Sequence, residues 1–506
     1  MNQKYLAILE VSQKQVFIFF SNKLKENVIN SAIIAWVTSS VFFETITGDP
    51  AIYSEEKNLV YAGGGHTVLV FDSLETAKEF ISKVTLEVRK SYEGLELFAK
   101  ILPCEDNITS RDLELLSKAL EEKKAKRASA FHQRSFGVEK TVQEYSWKRP
   151  EMDVRLDQEL TPDGFEQMNQ LEKLGGTKGE SNFVAIIHID GNNMGKRVEE
   201  LRRAMEGKDW EELRLVLREF SDAIDQDFKA AYREMTKIVA EQLIAGKLEQ
   251  MSLLEYAFPV RRVITAGDDI CFITEGRIGL ECAVLFLKKL AERVNHVDHK
   301  GYAACAGVAI VHQKYPFYRA YELAEDLCSN AKRYIATYAQ TQDKTEASGN
   351  VCTIDWHIEY GEMKDSLEEI REMYKTSDGN HLELRPYIVL DPRNYMNEPV
   401  RTYANLKKQI LKLTGDEMDY ARGKLKEMRA QLRNGEEASK YYLQVNRMED
   451  LVLDTRMEDI TETDIENVKK GKRTERNVFE QTADGKKRAL LFDAIEIMDT
   501  YLLVEG

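Results

Sequence analysis

The residues best suited to chemistry are three aspartates. Asp190 closes the apolar run Phe183 to Ile189, and Asp268 and Asp269 end the turn sequence Ala266-Gly267-Asp268-Asp269 between two strand-like runs. Clustered carboxylates repel one another unless a cation lies between them, and all-oxygen ligands suit a hard divalent ion, Mg²⁺ or Mn²⁺. Directly after Asp190 the chain reads Gly191-Asn192-Asn193-Met194-Gly195-Lys196-Arg197, a glycine-flanked turn into a helix whose free backbone N–H groups suit a triphosphate. A metal site beside a phosphate cradle points to phosphoryl transfer. Asp190, Asp268 and Asp269 would be its catalytic metal ligands; Gly191, Asn192, Asn193 and Met194 would bind the nucleotide. A Gly-Asp pair in a hairpin is by itself ordinary turn chemistry, so the reading depends on the combination.

These residues meet only if the intervening elements bring them together. From Tyr5 to Phe20 the residue types predict a β-hairpin or two adjoining strands, followed by a helix from about Lys23 to Phe43. Strand Leu59–Tyr61, the turn Ala62-Gly63-Gly64-Gly65-His66 and strand Val68–Phe71 come next, then a helix Leu74–Tyr92 and a strand Leu95–Leu102. This β-α-ββ-α-β order is ferredoxin-like. It returns from Asn182, with strands Phe183–Ile189 and Tyr302–Val311 around the Ala266–Asp269 turn and a helix Ile278–Val294. In such a sheet the first and third strands are antiparallel neighbours, so the end of one, Asp190, meets the start of the other, Asp268 and Asp269.

The expected fold class is therefore α/β (α+β), with two ferredoxin-like domains in tandem. Residues 1–104 form the first, 105–181 a charged helical connector ending in Gly175-Gly176-Thr177-Lys178-Gly179, 182–345 the second, and 346–506 a mostly helical C-terminal domain. In the last of these, helices are expected over Thr402–Leu413, Glu417–Leu432 and Arg488–Val504.

Composition narrows the function classes. The chain has 506 residues, 43% of them hydrophobic, enough apolar material for several packed cores. Acidic residues number 86 against 71 basic, a net charge of −15, which disfavours a free-standing DNA binder. The six cysteines form no C-x-x-C pair, so a cysteine-type zinc site is not expected and a reducing, cytoplasmic setting is. No apolar stretch reaches the ~18 residues of a membrane span. The basic runs Lys123–Arg127, Lys469–Arg473 and Lys486–Arg488 could contact RNA or a protein partner.

The pairing of Ala7-Ile8-Leu9-Glu10-Val11-Ser12 with Ala62-Gly63-Gly64-Gly65-His66, and of His188-Ile189-Asp190-Gly191-Asn192 with Ala266-Gly267-Asp268-Asp269, resembles the tandem palm domains of the large subunit of type III CRISPR effector complexes. Ala306–Val311, Lys314-Tyr315-Pro316 and Leu323 to Lys332 are further similar stretches. The resemblance implies a second palm that binds ATP with two divalent metals and makes 3′–5′ cyclic oligoadenylates, in a cleft shared by both palms. It implies Asp190, Asp268 and Asp269 as metal ligands, and Lys332 and Gly267 as contacts of the nucleotide. Aligning the hydrophobic strands puts Ser12 in the place of Asp190 and His66 and Thr67 in the places of Asp268 and Asp269. The first palm then lacks the acids, and its Gly63-Gly64-Gly65 turn with His66 leaves room for a second nucleotide.

Departures are expected as well. The family's His-Asp nuclease domain and four-cysteine zinc module are not found, so no DNase activity is expected, and Ala266 replaces the first glycine of the hairpin motif. A reduced relative is implied, whose partners would be nucleoside triphosphates, RNA, effector subunits or a second copy of itself. The rival reading is a non-catalytic palm-domain scaffold of a ribonucleoprotein complex. A diguanylate-type cyclase is disfavoured, because its Gly-Gly-(Asp/Glu)-Glu-Phe hairpin is not present.

Overall fold

The structure, a computed structural model, describes residues 3–126, 145–174, 182–251, 253, 256–340, 350–361, 364–391, 399–415, 420–452 and 478–504. The expected glycine linker Gly175–Gly179, Arg127 of the first basic run and the run Lys469–Arg473 lie outside the described residues.

The first ferredoxin-like unit comprises β1 (Lys4–Ser12), α1 (Lys14–Ile18), α2 (Leu24–Val37), α3 (Ser40–Thr47), α4 (Glu55–Asn58), β2 (Leu59–Gly63), β3 (His66–Phe71), α5 (Leu74–Ser91) and β4 (Glu96–Cys104). Its sheet runs β2-β3-β1-β4, with β1 antiparallel to both neighbours. The hairpin expected over Tyr5–Phe20 is instead one strand and a short helix. Gln13 adopts a left-handed conformation that turns the chain out of the strand, and Phe17 and Ile18 of α1 are buried in the core. Strand β1 is buried on both sides. Ala7, Leu9 and Val11 face the main core, while Leu6 and Ile8 pack with Leu113, Leu116 and Leu120 of the connector helix α6 (Ser110–Ala125).

The connector continues as α7 (Glu151–Leu160) and the two-residue strand β5 (Glu166–Gln167). The second unit follows with β6 (Phe183–Gly191), α8 (Met194–Ala204), α9 (Trp210–Ile244), β7 (Ala257–Phe258), β8 (Val260–Ala266), β9 (Asp269–Glu275), α10 (Gly279–Ala291), β10 (Ala304–His312) and α11 (Phe317–Gln340). Its sheet does not stop at residue 345. Strand β11 (Cys352–Ile358) pairs parallel with β10, and after α12 (Leu367–Glu372) strand β12 (Tyr387–Leu390) pairs with β11, giving the order β12-β11-β10-β6-β9-β8. All seven residues of β11 are buried, as a parallel strand covered on both faces requires.

Beyond this sheet lie α13 (Tyr403–Thr414), α14 (Arg422–Arg433), α15 (Glu436–Asn446), the hairpin β13 (Phe479–Gln481) and β14 (Lys487–Ala489), and α16 (Phe492–Ile497). The helix expected over Arg488–Val504 is therefore a strand residue, a six-residue helix and an extended tail. Arg488 cannot start an apolar helix here, because its guanidinium is buried against Asp484 at 2.8 Å and Glu383 at 3.2 Å. No single described helix is long and apolar enough to cross a membrane.

Candidate active site

Asp190, the next-to-last residue of β6, pairs in register with Asp269, the first residue of β9. The turn between β8 and β9 is Gly267-Asp268, with Gly267 at φ +68°, and the Gly191 N–H donates to the Asp268 carbonyl at 3.2 Å. A Cβ on Gly191 would lie 3.0 Å from that of Asp268, so only glycine lets the turn close over the strand end. The three aspartates thus share one sheet edge.

Their environment is electrostatically costly. Burial first, then the charge of Asp190, pushes the Asp268 carboxyl up to about 7. The same two causes, joined by Glu325, push Asp269 up to about 7. Asp269 Oδ1 is buried without a hydrogen bond. Asp190 is relieved by Lys332, whose Nζ donates to Asp190 Oδ2 at 2.6 Å and to the Gly191 carbonyl at 3.1 Å. Although burial opposes its charge, Asp190 holds the Lys332 ammonium above its ordinary pKa. Lys332 is delivered by α11, which sits directly on β10: a Cβ at Gly307 would come within 1.9 Å of the Ala324 carbonyl oxygen.

As they stand, no three acidic, histidine or cysteine side chains among the described residues are grouped to hold a metal ion. Asp190 is turned to Lys332. The donor set nevertheless fits a divalent cation: three carboxylates on one edge, two of them reluctant to ionise alone, and a buried carboxylate oxygen with no partner.

The cradle residues separate into two kinds. Asn193, left-handed at φ 59°, caps α8, and Met194 begins it. The Asn192 side chain is committed inward, donating to the Val351 carbonyl at 2.9 Å and lying 3.2 Å from Cys305 Sγ. It ties the cradle to the start of β11 and is not offered to a ligand.

The first palm-like unit reproduces this geometry with different residues, and its register corrects the alignment made from hydrophobicity. Glu10 pairs with His66 as Asp190 pairs with Asp269, and Gly63 pairs with His66 as Ala266 pairs with Asp269. The Val11 N–H donates to the Gly65 carbonyl as Gly191 does to Asp268. The places of Asp190, Asp268 and Asp269 are therefore held by Glu10, Gly65 and His66, and not by Ser12, His66 and Thr67. One acid survives. Glu10 accepts from Lys124 Nζ of α6 at 2.9 Å, the counterpart of the Asp190–Lys332 pair and a match that strand alignment alone missed. Burial lowers His66 to about 4, and its Nε2 has no partner. The expected room above the glycine turn is filled at Gly65, where a Cβ would meet Ile34 at 2.8 Å and Lys14 at 3.1 Å; Lys14 also donates to the Gly64 carbonyl. Gly64 faces the other hairpin, with a Cβ there 3.8 Å from the Ala266 carbonyl oxygen. The tips of the two hairpins thus lie close together, and Gln15 Nε2 of the first unit donates to Glu325 Oε1 of the second at 2.7 Å.

Comparison with known proteins agrees with this arrangement. Residues 183–339 match the family model of the Cas10/Cmr2 second palm domain. No curated protein is similar to the chain by sequence. Among solved structures, a Csm1–Csm4 cassette in complex with cA3 superposes with a TM-score of 0.54 at 12% identity, covering 99% of this chain and 70% of the other. The same cassette with pppApA gives 0.54 at 13% identity, and with one ATP 0.52 at 14%, each with the same coverage. Residues 183–339 are thus a Cas10/Cmr2-type palm domain, and the chain shares its overall fold with Csm1.

Proposed function

We propose that the chain is a metal-dependent nucleotidyltransferase that joins ATP units into cyclic oligoadenylate-type second messengers in CRISPR-type antiviral defence. The observation that carries this reading is the meeting of Asp190, Asp268 and Asp269 on one sheet edge, two of them raised to about 7, with the hairpin of the other palm close by. Similar Csm1 chains form complexes with cA3, pppApA and ATP, which supports a nucleotide at this edge.

In this reading the three aspartates hold Mg²⁺ or Mn²⁺, which when bound polarises the triphosphate and eases loss of the attacking hydroxyl proton. Lys332, which donates to Asp190 at 2.6 Å, is placed where its ammonium would neutralise a phosphate oxygen of a bound triphosphate. The N-terminal turn of α8, from Asn193 and Met194, offers its unpaired N–H groups to the triphosphate. Gly267, with open space where a Cβ would stand, keeps the approach to the backbone open, while Gly191 lets the Asp268 turn close over the strand end. The hairpin of the first palm, with Glu10 balanced by Lys124, carries no carboxylate cluster; with Gly65 covered by Ile34 and Lys14, only its Gly63-Gly64 side would be left for a second nucleotide, without a metal of its own. Residues 1–104 then act as the acceptor palm, 105–181 as connector, 182–345 as the catalytic palm and 346–506 as the supporting C-terminal domain. An effector subunit and RNA are the partners this reading assigns, with the cytoplasm as its setting. The Lys123–Lys124 and Lys487–Arg488 positions are engaged internally and are poor RNA contacts: Lys123 donates to the Ala99 carbonyl at 2.6 Å, and Lys487 pairs with Glu436.

The test is mass spectrometry of products after incubating the full chain, alone and with an effector complex and target RNA, with each nucleoside triphosphate and Mg²⁺ or Mn²⁺. Cyclic oligoadenylates from ATP are expected. No product under any condition would favour the scaffold reading.

A further inference from the structure

His188 is unused by the reading above. It stands two residues before Asp190 on β6, on the same face of the strand, and is buried. Its Nδ1 lies 3.5 Å from Asp269 Oδ1, and neither atom has a hydrogen bond. Buried polar atoms in native proteins are nearly always satisfied, so two complementary orphans facing each other are informative. The ring is held edge-on against Tyr321, with centroids 5.6 Å apart and planes at 78°, so its orientation is set by packing. Glu325, the other carboxylate at this floor, has an oxygen engaged by Gln15 of the first palm.

The internal repeat supplies an independent comparison. In the first palm His66 occupies the register position of Asp269, and Ile8 occupies that of His188. Where the aspartate is replaced, the histidine is an aliphatic residue.

We propose that His188 is a positioning residue for Asp269: its Nδ1–H donates to Oδ1 and leaves Oδ2 as the oxygen that faces the cation. This rests on the metal reading above. A small rotation of the carboxylate closes the gap to an ordinary bond of about 2.7–3.2 Å. Outer partners of this kind commonly set metal affinity by about 10–100-fold, because an unsupported carboxylate samples orientations that cannot ligate.

The experiment measures Mn²⁺ binding to the nucleotide-free full chain by electron paramagnetic resonance, so that catalysis is not the readout. His188→Leu keeps the packing against Tyr321 but removes the donor, and its Mn²⁺ affinity is expected to fall about 10–100-fold. His188→Asn places an amide N–H near the original Nδ1 and is expected to recover most of the loss. In the Asp269→Asn background the His188→Leu change is expected to add little. Equal affinity of wild type and His188→Leu, or full additivity with Asp269→Asn, would overturn the inference while leaving the metal site intact. If His188→Leu fails to fold, the comparison of His188→Asn with His188→Gln decides: the longer amide cannot place its N–H at Nδ1, so equal affinities overturn the proposal. A wild type with no saturable Mn²⁺ site that Asp268→Asn with Asp269→Asn removes would overturn the metal reading, and this inference with it.

Discussion

At the scale of single residues, the site is a problem in charge. Asp268 and Asp269 carry carboxyls raised to about 7 by burial and by Asp190, so each must give up a proton to ligate a cation. Apparent Mn²⁺ affinity should therefore rise with pH, by up to about tenfold per proton released for each unit, and level off above roughly pH 7. A flat profile between pH 5.5 and 8 in a titration would show that these carboxyls do not bind the ion. Asp268→Asn together with Asp269→Asn removes both charges at nearly constant volume. Loss of one electrostatic stabiliser commonly costs about 10²–10³ in rate, so the double variant should make no detectable product. It should also melt at the same temperature as wild type or higher in the cation-free state at pH 8, since the repulsion is gone. Product formation equal to wild type, at matched circular dichroism, would remove these residues from the chemistry.

At the scale of elements, two devices hold the aspartate edge in place. Helix α11 presses on β10 at Gly307, where any side chain collides with the helix backbone. Gly307→Val should force α11 outward, cost at least about 1–3 kcal/mol in denaturant unfolding, and separate Lys332 from Asp190. An unchanged midpoint would mean the helix has slack that the geometry does not suggest. The second device is β8, which leads into the aspartate turn. Its buried Arg261 and Arg262 are clamped by α7: Arg262 reaches Asp153 at 2.6 Å and Asp157 at 2.7 Å, and Arg261 reaches Asp157 at 2.5 Å. Burial alone would raise the Asp157 carboxyl, but Arg262, Arg261 and Arg149 outweigh it and hold it near 2. A depressed carboxyl stabilises the fold above its unfolded value of 3.8 and loses that contribution as pH falls through about 2. Asp157→Ala should cost about 3–5 kcal/mol at pH 7, because Arg261 stays buried without its counter-charge and Arg262 keeps only Asp153. The penalty should shrink between pH 4 and pH 2; a pH-independent penalty would point to packing alone.

At the scale of the whole molecule, the palms are joined into one body. A single apolar cluster includes Leu9 and Phe43 of the first unit, Ile187 and Phe286 of the second, and Phe492 and Ile495 near the C-terminus. Polar ties cross the same boundaries. Arg214 of α9 donates to the Glu56 and Lys57 carbonyls at 2.8 and 3.0 Å, and buried Glu281 of α10 accepts from Tyr403 at 2.7 Å and Tyr501 at 2.6 Å. Unfolding should accordingly show one dominant calorimetric transition. Two well-separated transitions would mean that the palms open independently and that the two hairpins are not held together by the core.

The sequence by itself was enough for the repeated β-α-ββ-α-β order and for the meeting of Asp190 with Asp268 and Asp269. Both follow from local signals: strand-type runs, glycine turns, and the rule that first and third strands are neighbours in such a sheet. It could not settle matters that depend on register and on side chains arriving from distant elements. Hydrophobic alignment slips on a strand that is buried on both faces, here by two residues, so Glu10 was passed over for Ser12 and the Glu10–Lys124 pair went unseen. Lys332 was a helix lysine among many until α11 lay against Gly307 and delivered it to Asp190. Strands β11 and β12 read as a mixed segment, because their reason for being strands is the open edge of β10, which exists only once the second sheet has formed. The same holds for His188 and Asp269: each is unremarkable in its own strand, and only the antiparallel pairing of β6 with β9 sets the two unsatisfied atoms face to face.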